Sequence, residues 1–109
     1  MRIALALTLA GTTAWADAPV VEAVVVRDGR FDVTISHPDT GWDHYADGWA
    51  VEDAQGNQLG LRVLAHPHET EQPFTRSLTI AGPLPDKVFV RARCIVDGWS
   101  DVVFEVATR

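Results

Sequence analysis

From Val20 onward the chain alternates apolar and polar positions with a period of two and never settles into helical spacing. The run "VVEAVVVRD" is dominated by β-branched residues. "RFDVTIS" follows, with Phe31, Val33 and Ile35 on one face and Asp32, Thr34 and Ser36 on the other. Between them stands Asp28-Gly29, a pair suited to the positive backbone angles of a two-residue hairpin turn. "GWAVEDA" and "QLGLRVLA" flank the turn signal "QGN", and "FTRSLTI" leads into the loop "AGPLPD". "KVFVRARCIV" sets Val88, Val90, Ala92 and Cys94 against Phe89, Arg91, Arg93 and Ile95. Asp97-Gly98 then predicts a second hairpin turn before "SDVVFEVAT". The pattern predicts about seven short strands in one all-β domain, an antiparallel immunoglobulin-like β-sandwich, with a small closed barrel as the alternative.

The first residues break this pattern. "MRIALALTLAGTTAWA" has a basic start, an apolar run and small residues at Ala14 and Ala16, the parts of a cleaved secretory signal over 1–16. Its apolar run is well short of the roughly 20 residues that span a bilayer. The expectation is an exported domain over 17–109, periplasmic or secreted, with no membrane span. A formal net charge of −6 argues against nucleic acid as a partner. The single cysteine, Cys94, permits no internal disulfide and reads as a buried thiol, a metal ligand or a redox group. No G-x-S-x-G elbow or phosphate-cradling loop is present, which speaks against nucleophilic hydrolysis and nucleotide chemistry.

The four histidines occupy two polar stretches, "SHPDTGWDHYADGW" and "AHPHETEQPF". His37 ends the second strand, where Pro38 stops a central strand from continuing. His66 and His68 are two apart, a spacing that in extended backbone presents both rings on one side. Imidazole is the commonest side-chain metal ligand, so His37, His44, His66 and His68 form a candidate metal set, with Cys94 as a further donor. Asp39, Asp43, Asp47, Glu69 and Glu71 are candidate oxygen ligands or partners that orient the rings. Ordinary solvated loop histidines are the competing reading, with Trp42 and Trp49 capping one end of the sandwich.

Two fragments resemble a known family. "HPDTGWDHY" is similar to the His-Pro…His-Tyr loop of the superoxide reductase (desulfoferrodoxin) iron domain, and "CIVDGW" is similar to its C-terminal Cys-x-x-His-Gly segment. The resemblance implies an immunoglobulin-like sandwich with a mononuclear iron held by four imidazoles and an axial thiolate. Superoxide would be reduced at the open position. On these motifs His37 and His44 correspond to equatorial ligands and Cys94 to the thiolate. Asp97 stands where the family has a histidine, and the family's early histidine has no counterpart before His37. "PDTGWDHYAD" and "HPHETEQPFTRSL" also look like a family of small exported bacterial proteins without an assigned function.

Two functions follow as expectations. One is an exported metal-binding domain, with iron as the expected ion, zinc or copper as alternatives, and a metal-free chain still open. The other is a non-enzymatic module that contacts a protein partner through the 37–49 and 65–76 loops. There Trp42, Tyr45, Phe74 and Arg76 would form the surface, since aromatic residues and arginine dominate binding hot spots.

Overall fold

The structure, a computed structural model, describes residues 18–109. The expected signal segment over 1–16 lies outside the described residues. Eight strands follow one another: β1 (Val20–Arg27), β2 (Arg30–Ser36), β3 (Ala46–Glu52), β4 (Gln58–Val63), β5 (Phe74–Thr79), β6 (Lys87–Cys94), β7 (Gly98–Trp99) and β8 (Phe104–Ala107). Two antiparallel sheets form, one ordered β1-β2-β5 and the other β4-β3-β6, with β7 and β8 both pairing with β6. The sheets are separate, so the sandwich is the outcome and the closed barrel is not. Among the described residues no helix is long and apolar enough to cross a membrane.

The Asp28-Gly29 turn forms as its chemistry requires. Both residues adopt positive φ, 52° and 80°, and β1 pairs with β2 through Arg27 and Arg30 on either side. Gly29 also lies under β5, and its carbonyl accepts from the Ile80 amide at 2.9 Å. The 53–57 turn is held by Asp53, whose Oδ1 accepts from the Gln55 and Asn57 amides at 2.9 and 2.8 Å. These bonds to Asp53, those with Asn57 first, lower its pKa from the ordinary 3.8.

Alternation sets the core. Phe31, Val33 and Ile35 of β2 point inward with Phe74 of β5, against Trp49 and Val51 of β3 and Val88, Val90 and Ala92 of β6. Full burial of a large apolar side chain stabilises a fold by roughly 1.5–3 kcal/mol, so these residues dominate the sandwich. Trp49 is wholly buried in this core, and Trp42 is 67% exposed. Neither therefore caps the sandwich end. The outward faces carry ion pairs instead: Arg93 to Asp47 at 2.9 Å and Arg91 to Glu52 at 3.1 Å.

The C-terminal pattern is read differently by the fold. The turn after β6 spans Ile95, Val96 and Asp97, with Gly98 at φ 78° opening β7 opposite Cys94. The expected final strand "SDVVFEVAT" forms only from Phe104, and its first residues, from Ser100, are irregular. The Ser100 carbonyl accepts from Arg91 Nη1 at 2.6 Å, and its hydroxyl accepts from the Val102 amide at 3.1 Å. A serine hydroxyl that bonds its own local backbone competes with strand pairing, and here it wins.

Candidate metal centre

The loop between β2 and β3 brings the candidate donors together by a short sequence of local bonds. β2 ends at Ser36, and the His37 carbonyl accepts from the Asp39 amide at 2.8 Å, a tight turn around Pro38. A second turn follows at Gly41, whose φ of 147° disfavours a side chain. Its carbonyl accepts from the His44 amide at 3.1 Å, and the Thr40 amide donates to the His44 carbonyl at 3.0 Å. Trp42 and Asp43 are left at the exposed corner, and His44 is folded back over His37. The two rings meet edge to face, centroids 4.9 Å apart at 83°.

Cys94 completes the group. It lies at the end of β6 on the inward face, wholly buried, opposite Ala46 of β3 and Gly98 of β7. One ligand atom from each of His37, His44 and Cys94 falls within 4.8 Å of the others. The Nε2 atoms of both histidines are buried and lack a hydrogen-bond partner. A buried polar atom without a partner is costly, and an ion among these donors would satisfy both nitrogens at once. Two imidazoles and a thiol are a donor set that iron, copper and zinc all accept.

Asp39 stands behind the trio. Its side chain is wholly buried, and its Oδ1 lies 2.6 Å from His37 Nδ1, which leaves Nε2 as the ring nitrogen available to an ion. The same oxygen accepts from the Ala46 amide at 3.0 Å, and Oδ2 accepts from the His68 amide at 2.7 Å. Asp39 thus contacts the His37 ring and the backbone of both neighbouring segments. Asp47 is committed to Arg93.

The second histidine loop comes near without joining the trio. The ring centroids of His66 and His68 lie 4.6 Å apart, but both residues follow the end of β4 at Val63, and His66 is exposed while His68 is buried. His68 is buried and stacks on Phe74 at 3.8 Å and 9°, and its Nε2 accepts from Arg76 Nη2 at 3.0 Å. Burial, then the Arg76 charge and His66, lower the His68 pKa from the ordinary 6.5, against opposing pulls from Glu71 and Asp39. His66 is exposed, with Nδ1 3.0 Å from the Pro67 carbonyl. The four-imidazole set that the motifs imply is therefore not assembled among the described residues.

Gln72 was not singled out in the sequence, yet it joins the two loops. Its Oε1 accepts from the His37 amide at 2.9 Å, and its Nε2 donates to the His68 carbonyl at 2.8 Å. No spacing rule marks a glutamine for such a bridge. The expected partner surface is divided. Trp42 is exposed and packs edge to face on Tyr45 at 5.7 Å, and Arg76 is half-buried against Glu71. Phe74 is only 2% exposed. It belongs to the core rather than to a contact surface, because β5 turns it inward opposite Ile35.

The architecture is an immunoglobulin-like antiparallel β-sandwich, and its fold is similar to that of a superoxide reductase. The superoxide reductase (neelaredoxin) of Ignicoccus hospitalis superposes with a TM-score of 0.50 at 20% identity, over 91% of this chain and 86% of that one. A second form of that protein gives 0.47 at 20% identity, over 86% and 83%. The likeness is one of fold. In sequence, a putative lipoprotein of Halomicrobium mukohataei is 46% identical over 71 residues, 62% of this chain. The matched region spans 35% of that relative's length. No family model matches the chain.

Proposed function

We propose that the protein is a metal-binding domain in which His37, His44 and Cys94 hold a single ion. The observation that carries this reading is the pair of buried, partnerless imidazole nitrogens beside a buried thiol, three donors within 4.8 Å. Iron is the ion proposed, because the fold is shared with a neelaredoxin and the motifs around His37, His44 and Cys94 resemble that family. When bound, such an iron would supply the one-electron reduction of superoxide, with His37, His44 and Cys94 as the residues that would hold it. The chain's own contribution is to hold His37 against Asp39, fold His44 back through the Gly41 turn, and keep Cys94 away from water. His68 is proposed as a supporting residue rather than a ligand, and His66 as its exposed neighbour. Export is part of the same reading, supported by the 1–16 pattern and by the lipoprotein name of the sequence relative.

The test is metal analysis of the chain purified without a metal-binding tag, followed by anaerobic ferrous loading and an absorption spectrum after oxidation. Near-stoichiometric iron with a thiolate-to-iron band that disappears in Cys94→Ala supports the full reading. Zinc or copper without that band keeps the metal site and removes the superoxide chemistry. A wild-type chain that retains no metal rejects both.

A second reading draws on Trp42, which projects into solvent next to the same loop. Here the 37–49 loop docks a protein partner, and Trp42→Ala weakens capture of that partner without changing stability.

A further inference from the structure

We infer that Asp39 is a positioning residue that holds His37 in a single tautomer, and that the 65–73 loop is the brace that holds Asp39. The inference rests on the metal-centre reading for its purpose, although its geometry stands independently. Asp39 Oδ1 takes both the His37 ring at Nδ1, at 2.6 Å, and the Ala46 amide, at 3.0 Å. Ala46 is the β3 residue opposite Cys94, so one oxygen locates an imidazole and the strand beside the thiol. A carboxylate oxygen accepts hydrogen bonds, so the ring N–H that meets Asp39 Oδ1 is the one on His37 Nδ1. Its Nε2 then presents a lone pair toward the cluster, in the buried place where no other acceptor or donor meets it.

The other oxygen is held from the second loop. The His68 amide donates to Oδ2 at 2.7 Å, and the His68 ring is fixed between Phe74 and the Arg76 guanidinium. A guanidinium only donates, so His68 Nε2 accepts and its proton sits on Nδ1, 3.9 Å from Asp39 Oδ2. This nitrogen is buried and beyond hydrogen-bond range of the carboxylate, so the His68 amide carries the contact to Asp39. Gln72 ties the same two loops a second time, through the His37 amide and the His68 carbonyl. The histidines therefore divide by role, two as donors to an ion and His68 as a support acting through Asp39. Carboxylate partners of this kind orient ligand imidazoles and raise their basicity.

Asp39→Asn replaces one acceptor by an N–H donor at nearly constant shape. The amide cannot serve His37 Nδ1–H and the His68 amide together, so one bond is lost or His37 shifts its proton to Nε2. The experiment is nitrogen-15 long-range correlation NMR of the histidine rings in the metal-free full chain, wild type and Asp39→Asn. It is paired with zinc affinity measured by competition with a chromophoric chelator. The expected result is a wild-type His37 protonated on Nδ1, a changed pattern in Asp39→Asn, and zinc affinity lower by about 10–100-fold. A wild-type His37 protonated on Nε2 overturns the inference, as does an Asp39→Asn variant with the wild-type ring pattern and zinc affinity. The wild-type spectrum decides the tautomer even if the variant does not fold. A wild type that shows the Nδ1–H pattern but binds no zinc or iron refutes the metal reading and leaves the positioning role of Asp39 standing.

Discussion

Replacing Cys94 by alanine separates a metal ligand from a core thiol, because the two roles predict effects of different size under different conditions. In the metal-free chain the substitution removes one sulfur from a wholly buried site at the end of β6, next to Ala46 and Gly98. That loss is close to one buried methylene, about 1 kcal/mol. For a domain of this size it lowers the melting temperature by roughly 4–8 °C. A bound ion adds a second effect. At free metal of 100 times Kd, binding to the native state alone stabilises by about 2.7 kcal/mol. On the same scale this raises the wild-type melting temperature by roughly 10–20 °C. The assay is calorimetric melting of both proteins with chelator and with anaerobic ferrous iron. The expected outcome is a large metal-dependent rise in the wild type and little or none in Cys94→Ala. A variant that keeps the full rise would refute Cys94 as a ligand, whatever its metal-free stability.

Four further outcomes follow from the same geometry. His44→Ala should abolish stoichiometric iron retention, read by metal analysis, while changing metal-free stability by only about 1 kcal/mol, since the ring is half-buried. Phe74→Ala should cost roughly 3–5 kcal/mol in urea unfolding, because the ring is core; a surface contact residue would cost almost nothing. Gly29→Ala should destabilise by more than about 1 kcal/mol, since φ is +80° and the new Cβ would lie 2.8 Å from the Ile80 carbonyl oxygen. Last, His68 has its folded pKa held below the ordinary 6.5, so the unfolded chain takes up the proton first. Its contribution is complete above pH 6.5 and declines as pH falls from there toward the folded value. Urea midpoints of the metal-free chain should therefore fall less steeply over this range in His68→Gln than in the wild type; equal slopes would refute it.

The strand frame was legible because alternation and turn chemistry are local. Phe31, Val33 and Ile35 take the inner face by period alone, and Asp28-Gly29 specifies its turn through two backbone angles. Five candidate donors, His37, His44, His66, His68 and Cys94, could be named for the same reason, since their residue types are rare in this chain and stand in short motifs. What spacing could not convey is how the two sheets bring the ends of separate strands together. His37 and Cys94 are 57 residues apart in sequence, and only the stacking of β2 over β3 and β6 makes them neighbours. The inward turn of Phe74, the use of His68 as a support, and the Gln72 bridge belong to that same tertiary level. So does the late start of the last strand at Phe104, where the Ser100 hydroxyl and Arg91 outweigh a good strand pattern. Local preference thus determined the strands, the main turns and the inventory of donors. Packing of distant strands decided which donors meet, because burial and hydrogen-bond satisfaction are settled between elements and not along them.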